Sequence, residues 1–188
     1  MTTGMVRGQN AVKPRSSSDT EGEVQRVLGK LEAGGNDIKI MRLMANSPNA
    51  FRPFLLMSIS LMERASLPPS DREVAILRLA TLLGVEYEWR EHIPLSDRAG
   101  ITEEQRAGIQ AGNIEDEKLF TAPMRLAMRI ATVARQQNEL PTQDWDEACA
   151  TWGKEGALDL VLTIGWWGGF VPTVINCLGI TNPTGPDD

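Results

Sequence analysis

A single imidazole decides what proton chemistry this chain can do. His92 is the only histidine, and it closes the run Tyr87-Glu88-Trp89-Arg90-Glu91-His92, which also holds the only tyrosine. Imidazole is the side chain whose ordinary pKa lies nearest neutrality, so His-based acid–base chemistry has one candidate here. A metal centre built from several imidazoles of one chain is excluded. Glu88 and His92 are four residues apart, which puts them on one face of a helix. A carboxylate beside an imidazole fixes its tautomer and raises its basicity. Glu73 opens the preceding helix and reaches the same place if the two helices pack antiparallel. Tyr87 and Trp89 flank the pair as a hydroxyl donor and a ring wall. Arg72, Arg78 and Arg90 are nearby cations able to hold a substrate carboxylate by bidentate contact.

Each of these residues also has a plainer role. Glu73 fits the third helical position of a capping box opened by Ser70. Glu88 with His92 is an ordinary helix pair, worth a few tenths of a kcal/mol. A lone histidine among apolar residues is commonly a satisfied core residue, and Trp166 and Trp167 read as packing. As a metal site the set is poor: one imidazole and two carboxylates without a second imidazole. We therefore expect no metal.

The elements that must position these groups read as helices throughout. No stretch alternates with the period of a strand over useful length. Ser47-Pro48 is an N-cap followed by proline, opening a helix through Met62. Leu67-Pro68-Pro69 stops it, and Ser70-Asp71-Arg72-Glu73 opens the next, Val74 to Leu83. Gly84 breaks the chain before a helix from Val85 to Arg98 that carries the His92 motif and closes at Gly100. Thr102 to Gln105 is a second capping box. Pro123 to Gln137 shows an apolar face at helical spacing. Thr142 caps a further helix, and a last one runs from Lys154 to Leu178 with a kink at Pro172. Gly165 and Gly169, four apart, suit close helix packing. The expectation is an all-α, single-domain fold of seven to eight helices.

Composition sets the frame. The 188 residues are 41% apolar, enough for one domain with a sizeable core. Residues 1–23 are rich in Gly, Ser, Thr and charge and read as a disordered arm, 24–180 as the helical domain, and 181–188 as a frayed tail. The N-terminal stretch lacks the apolar core of a signal peptide, so the expected location is the cytoplasm. A formal net charge of −6 with dispersed Lys and Arg argues against nucleic acid and anionic membranes as partners. From Leu160 to Ile180 there is no charged residue, a length that spans a bilayer. Its glycines, Pro172 and Asn176 favour instead a helix buried in a core or a subunit interface. Cys149 and Cys177 lie far apart, form no CxxC, and read as two buried thiols.

Asp37 to Ile109 resembles the carboxymuconolactone decarboxylase family, which includes the alkylhydroperoxidase D proteins. The resemblance is carried by Met41 to Pro48, Ser66 to Pro69, Arg72 to Arg78, Glu86-Tyr87-Glu88-Trp89 with His92, and Ala99 to Thr102. Asp159-Leu160-Val161 and Ile164 to Trp167 look like the family's last helix. The resemblance implies an alkylhydroperoxidase D-like helical subunit, assembled as a homotrimer or hexamer, with its site at the His92 helix near a subunit interface. Peroxidase members carry a CxxC motif, a downstream His and an upstream Glu. Aligned on His92, the two cysteine positions fall on Val85 and Glu88, so the dithiol mechanism is absent there. The relay Glu and His match at Glu73 and His92.

What the resemblance then implies is the decarboxylase branch: a cofactor-independent lyase acting on a small carboxylated lactone or an aromatic-catabolism intermediate. His92 would be the general acid/base, oriented by Glu88 or Glu73. Tyr87 would donate to an enolate oxygen, and Arg72, Arg78 or Arg90 would anchor carboxylate, with Trp89 against the substrate. The alternatives are an isomerase or hydrolase on another lactone or carbonyl compound, and a non-catalytic homo-oligomeric binding protein.

Overall fold

The structure, a computed structural model, describes residues 11–180. Among them every regular element is helical and there is no strand. The chain divides into two compact units, one comprising the described residues up to Ser60 with those from Val174, the other Leu61–Thr173.

In the first unit, α1 (Gly22–Ala33), α2 (Lys39–Met44) and α3 (Pro48–Ile59) enclose a small core of Val24, Leu28, Ala45 and Phe51. Ser47 and Pro48 start α3 as expected, although Ser47 makes no side-chain cap bond. The expected disordered arm differs over its described part. Ser17–Asp19 form a helical turn, the Ser17 N–H donates to Glu32 Oε1 at 2.7 Å, and the Arg15 N–H donates to the Arg42 carbonyl at 3.0 Å. Serine and aspartate satisfy backbone groups locally, so a segment poor in apolar residues is still held. Residues 1–10 and the tail at 181–188 lie outside the described residues.

The second unit is built around α4 (Pro69–Leu83). It packs against α5 (Glu86–Arg98), α6 (Glu103–Ala111), α7 (Ala122–Gln137) and α8 (Thr142–Gly165). Every residue from Asp71 to Leu77 is buried, as a helix enclosed on all sides requires. Gly84, at φ 63°, ends α4 in the left-handed conformation that glycine adopts without strain. The Thr102 capping box forms as read: Thr102 Oγ1 accepts from the Gln105 N–H at 3.2 Å and Gln105 Oε1 accepts from the Thr102 N–H at 2.9 Å. The Ser70 box does not form. α4 begins at Pro69, one residue before Ser70, so Ser70 lies inside the helix and its hydroxyl meets Asp71 instead. Glu73 is thereby released from capping and turns inward.

Within α8 Gly153 takes φ 71° and ψ 171°, separating a helix begun just after Pro141 from the long apolar one. A π turn, Trp166–Phe170, then leads into α9 (Val171–Leu178). Pro172 has no N–H to offer the turn before it, and the widened turn absorbs that loss. The run Thr142–Leu178 is long and apolar enough to cross a membrane by length and composition.

The glycines of this run differ from the expectation. A Cβ on Gly165 or Gly169 would meet no atom within 4 Å, so neither is a close-packing point. Gly168 is: its Cβ would lie 2.9 Å from Leu79 Cδ2, and Leu79 is wholly buried. The π turn shifts the helical phase and brings Gly168, rather than Gly165 or Gly169, against α4. Gly168→Ala is expected to destabilise by roughly 1–3 kcal/mol through overpacking. Gly165→Ala should stabilise by about 0.5–1 kcal/mol. Denaturant midpoints of the two variants check this, and equal shifts would refute the packing difference.

Candidate active site

α4 carries Asp71, Arg72 and Glu73 into the interior at its start. Buried charges need partners, and each of these has one. The Trp152 indole N–H donates to Asp71 Oδ2 at 2.9 Å. Burial raises the Asp71 carboxyl above its ordinary value, against the indole and Ser70 bonds. Arg72 Nε lies 3.4 Å from Glu73 Oε1. The other Glu73 oxygen, Oε2, lies 2.8 Å from His92 Nδ1. Residues 73 and 92 meet because α4 and α5 form an antiparallel hairpin about Gly84.

His92 is thus held from one side by a carboxylate with no solvent exposure, so Nδ1 carries the proton and donates it. Its other nitrogen, Nε2, faces Glu88 Oε2 at 3.6 Å, too far for a hydrogen bond. Glu88 is 4% exposed, and Oε2 has no hydrogen-bond partner among the described residues. The Trp167 ring closes the imidazole edge-on, with centroids 5.7 Å apart and planes at 85°.

The electrostatics follow from this geometry. Burial raises Glu88 to about 7, with Glu91 and Glu73 adding to the effect and His92 opposing it. Burial by itself lowers the imidazole. Glu73, through its charge and its hydrogen bond, outweighs that with help from Glu88 and Glu91, and His92 ends above its ordinary value. Glu88 therefore keeps its proton into the neutral range, beside an imidazole whose own hold on a proton is raised. A buried carboxyl that titrates at about 7 can give or take a proton near neutral pH, as acid–base catalysis there requires.

Glu73, Glu88 and His92 all fall within one segment, residues 48–115. That segment matches the carboxymuconolactone decarboxylase family. The match agrees with the family resemblance carried by residues 37–109 and ends before α7, so Trp167 lies outside it. The protein is also similar to a solved structure, an uncharacterized peroxidase-related protein from Silicibacter sp. TM1040. The TM-score is 0.76 at 14% identity, covering 98% of this chain and 96% of that one, which shows a shared fold. That fold is the all-helical, alkylhydroperoxidase D-like one. No curated protein matches the chain.

The other residues that the family resemblance implied are spread around this centre. Arg72 is buried beside Glu73. Arg78 is half-buried, its Nε donating to Thr132 Oγ1 at 3.0 Å. Arg90 lies on the outside of α5, paired with Glu86 at 2.8 Å, away from the imidazole. Tyr87 is buried, but its hydroxyl donates to Glu91, one turn along and on a different face from Glu88 and His92. Trp89 is nearly buried. Among the described residues no three His, Cys, Asp or Glu side chains are grouped to hold a metal ion. The cysteines correct the reading of two buried thiols: Cys149 is half-buried and Cys177 exposed. Both sit on helices whose neighbouring positions, Ala148 and Ile175, supply the buried face instead. Sequence reasoning took Trp167 only as packing, because its partner is 75 positions away and no local signal joins them.

Proposed function

We propose that this protein is a cofactor-independent lyase of the decarboxylase type, working by proton transfer on a small carboxylated lactone. The observation that carries the reading is the buried run Glu73–His92–Glu88, with Nδ1 held at 2.8 Å and Nε2 left facing an acid that titrates near 7. Loss of CO₂ from a lactone carboxylate breaks one carbon–carbon bond. Its electron pair passes into the conjugated lactone as a dienolate, and a proton must then reach carbon. In this reading the doubly protonated imidazole of His92 gives that proton from Nε2, and Glu88 replenishes it. Of the three arginines, Arg72 is the one beside the cluster and is the candidate anchor for a carboxylate. Val85 and Glu88 stand where the family's peroxidase branch has its thiols, which argues against a thiol peroxidase.

The same reading includes a cytoplasmic homo-oligomer, a trimer or hexamer. Leu158 and Phe170, 50% and 46% exposed, with Val161 and Leu162, give α8 and its π turn an apolar outer face that supports such an assembly.

The test is incubation with 4-carboxymuconolactone and related carboxylated lactones, without metal or added cofactor, following CO₂ release and ultraviolet absorbance. Turnover unaffected by chelator is expected. Failure on every carboxylated lactone, with turnover of a lactone or carbonyl compound lacking a carboxylate, would replace the lyase by an isomerase or hydrolase using the same proton relay.

A further inference from the structure

Thr163 is wholly buried in α8, and its hydroxyl has no hydrogen-bond partner among the described residues. Helical threonines commonly satisfy themselves on the carbonyl four residues back. Thr81, Thr132, Thr151 and Thr173 of this chain all do so, at 2.9, 2.7, 2.8 and 2.7 Å. Thr163 does not. A buried hydroxyl without a bond is disfavoured, so this one points to a partner outside the polypeptide.

Its place in the fold says where. Asp159 Oδ2 accepts from the Ser66 N–H at 2.6 Å, just before α4 begins. Gly168 packs on Leu79, near the far end of α4. Helix α8 with its π turn therefore runs alongside α4 in the same direction. Thr163, between Asp159 and Gly168, lies abreast of the opening turns of α4 that carry Arg72 and Glu73. One helical turn further on is Trp167, whose ring closes His92. The other buried side-chain oxygen without a partner among the described residues is Glu88 Oε2, in the same cluster.

We propose that Thr163 is the fourth polar side chain of this site, and that with Glu88 it holds one oxygen atom of a bound molecule. In the free protein that atom is water; in the complex it is a carbonyl or carboxylate oxygen of the substrate. The second half rests on the function proposed above, and the first does not. Both groups are donors when Glu88 carries its proton, which suits an oxygen that gains negative charge during reaction. Thr163 is thus a binding residue, touching the same bound oxygen as Glu88.

The chain has a single histidine, so the His92 ring resonance reports the cluster without ambiguity. Its pH titration in wild type, Thr163→Val and Thr163→Ser, without ligand, tests the first half. The charged groups it senses are Arg72 and Glu73 on α4 and Glu88 and Glu91 on α5. Valine keeps the shape and removes the hydroxyl, and serine keeps the hydroxyl. We expect valine to shift the titration midpoint by about half a unit or more, a roughly threefold change in the proton equilibrium, and serine to restore it. A Thr163→Val protein that titrates as wild type would overturn the proposal and mark a core hydroxyl, whatever the substrate proves to be. For the second half the probe is a saturated γ-butyrolactone carboxylate, followed by the same resonance. Binding at least tenfold weaker in the valine variant, recovered by serine, is expected. Equal binding by all three proteins would confine the role of Thr163 to the free protein and overturn the substrate contact. No binding by wild type, with the titration shift intact, would count against the lactone reading and leave the hydroxyl's place in the cluster standing.

Discussion

Glu73→Gln is expected to fold as wild type does and to lose about 10²–10⁴ in kcat on any lactone that the protein turns over. Glu73 Oε2 accepts the Nδ1 proton of His92, and that single bond leaves Nε2 free to work. An amide in the same place can present its NH₂ to Nδ1, which moves the ring proton to Nε2 and gives the wrong tautomer. The same exchange at the orienting carboxylate of a Ser-His-Asp triad costs about 10⁴ in kcat. A second readout separates this from a loss of packing. The raised pKa of His92 depends on Glu73 outweighing burial. With glutamine the burial effect prevails, and the imidazole titration moves below its ordinary value. The stability that follows from a raised imidazole is present below the unfolded value of 6.5 and is lost as pH rises through the folded value. In Glu73→Gln that contribution disappears at acid pH. Glu73→Ala is a harsher change. It strips His92 and Arg72 of a buried partner and is expected to destabilise by roughly 3–5 kcal/mol. Full kcat in Glu73→Gln with His92 titrating as before would remove Glu73 from the mechanism and leave it a structural partner.

What could be seen in the sequence was local, and what could not was either competitive or distant. The Thr102 box and the Gly84 stop were legible because capping and left-handed glycine act within four residues. Those boundaries fix a short hairpin, and a short hairpin forces residues 73 and 92 together. The Ser70 box had equally good residue types, yet Pro69 won the helix start because its fixed φ already suits the first helical position. That two-residue shift changed Glu73 from a cap into a buried ion-pair partner. Gly165, Gly168 and Gly169 show a different limit. A regular helix puts Gly165 and Gly169 on one face, and only the π turn at Trp166–Phe170 rotates Gly168 onto Leu79 instead. Trp167 meets His92 through tertiary packing across many residues, and a residue type alone does not announce such a partner. Cys177 is exposed although its helix is apolar, because only one side of that helix is covered.

The stability of the protein should fall as pH rises from 5 to 8, and Glu88→Gln should remove most of that fall. The folded carboxyl of Glu88 titrates at about 7, whereas an unperturbed one titrates at 4.5. Between those values the folded state holds a proton that the unfolded chain has released. Stability then decreases with pH, because the unfolded state binds fewer protons than the native one. Above 7 the folded protein carries a buried carboxylate, a disadvantage of about 3 kcal/mol from a shift of that size. Glutamine has the shape of the protonated acid at every pH. Glu88→Gln should therefore match wild type at pH 4–5 and exceed it by up to about 3 kcal/mol at pH 8. The imidazole adds a slope of the same sign through Glu73, which the variant keeps, so some pH dependence persists. Denaturant unfolding at several pH values measures both slopes. Activity should move the other way. The variant has no acid to return a proton to Nε2, so kcat falls most at low pH, where wild-type Glu88 is protonated. Stability and turnover thus oppose each other at one carboxyl: Glu88 Oε2 is buried with no hydrogen-bond partner among the described residues, an arrangement that costs stability once the carboxyl ionises. Parallel stability slopes in the two proteins would show that Glu88 titrates in the ordinary carboxylate range and holds no proton at neutral pH.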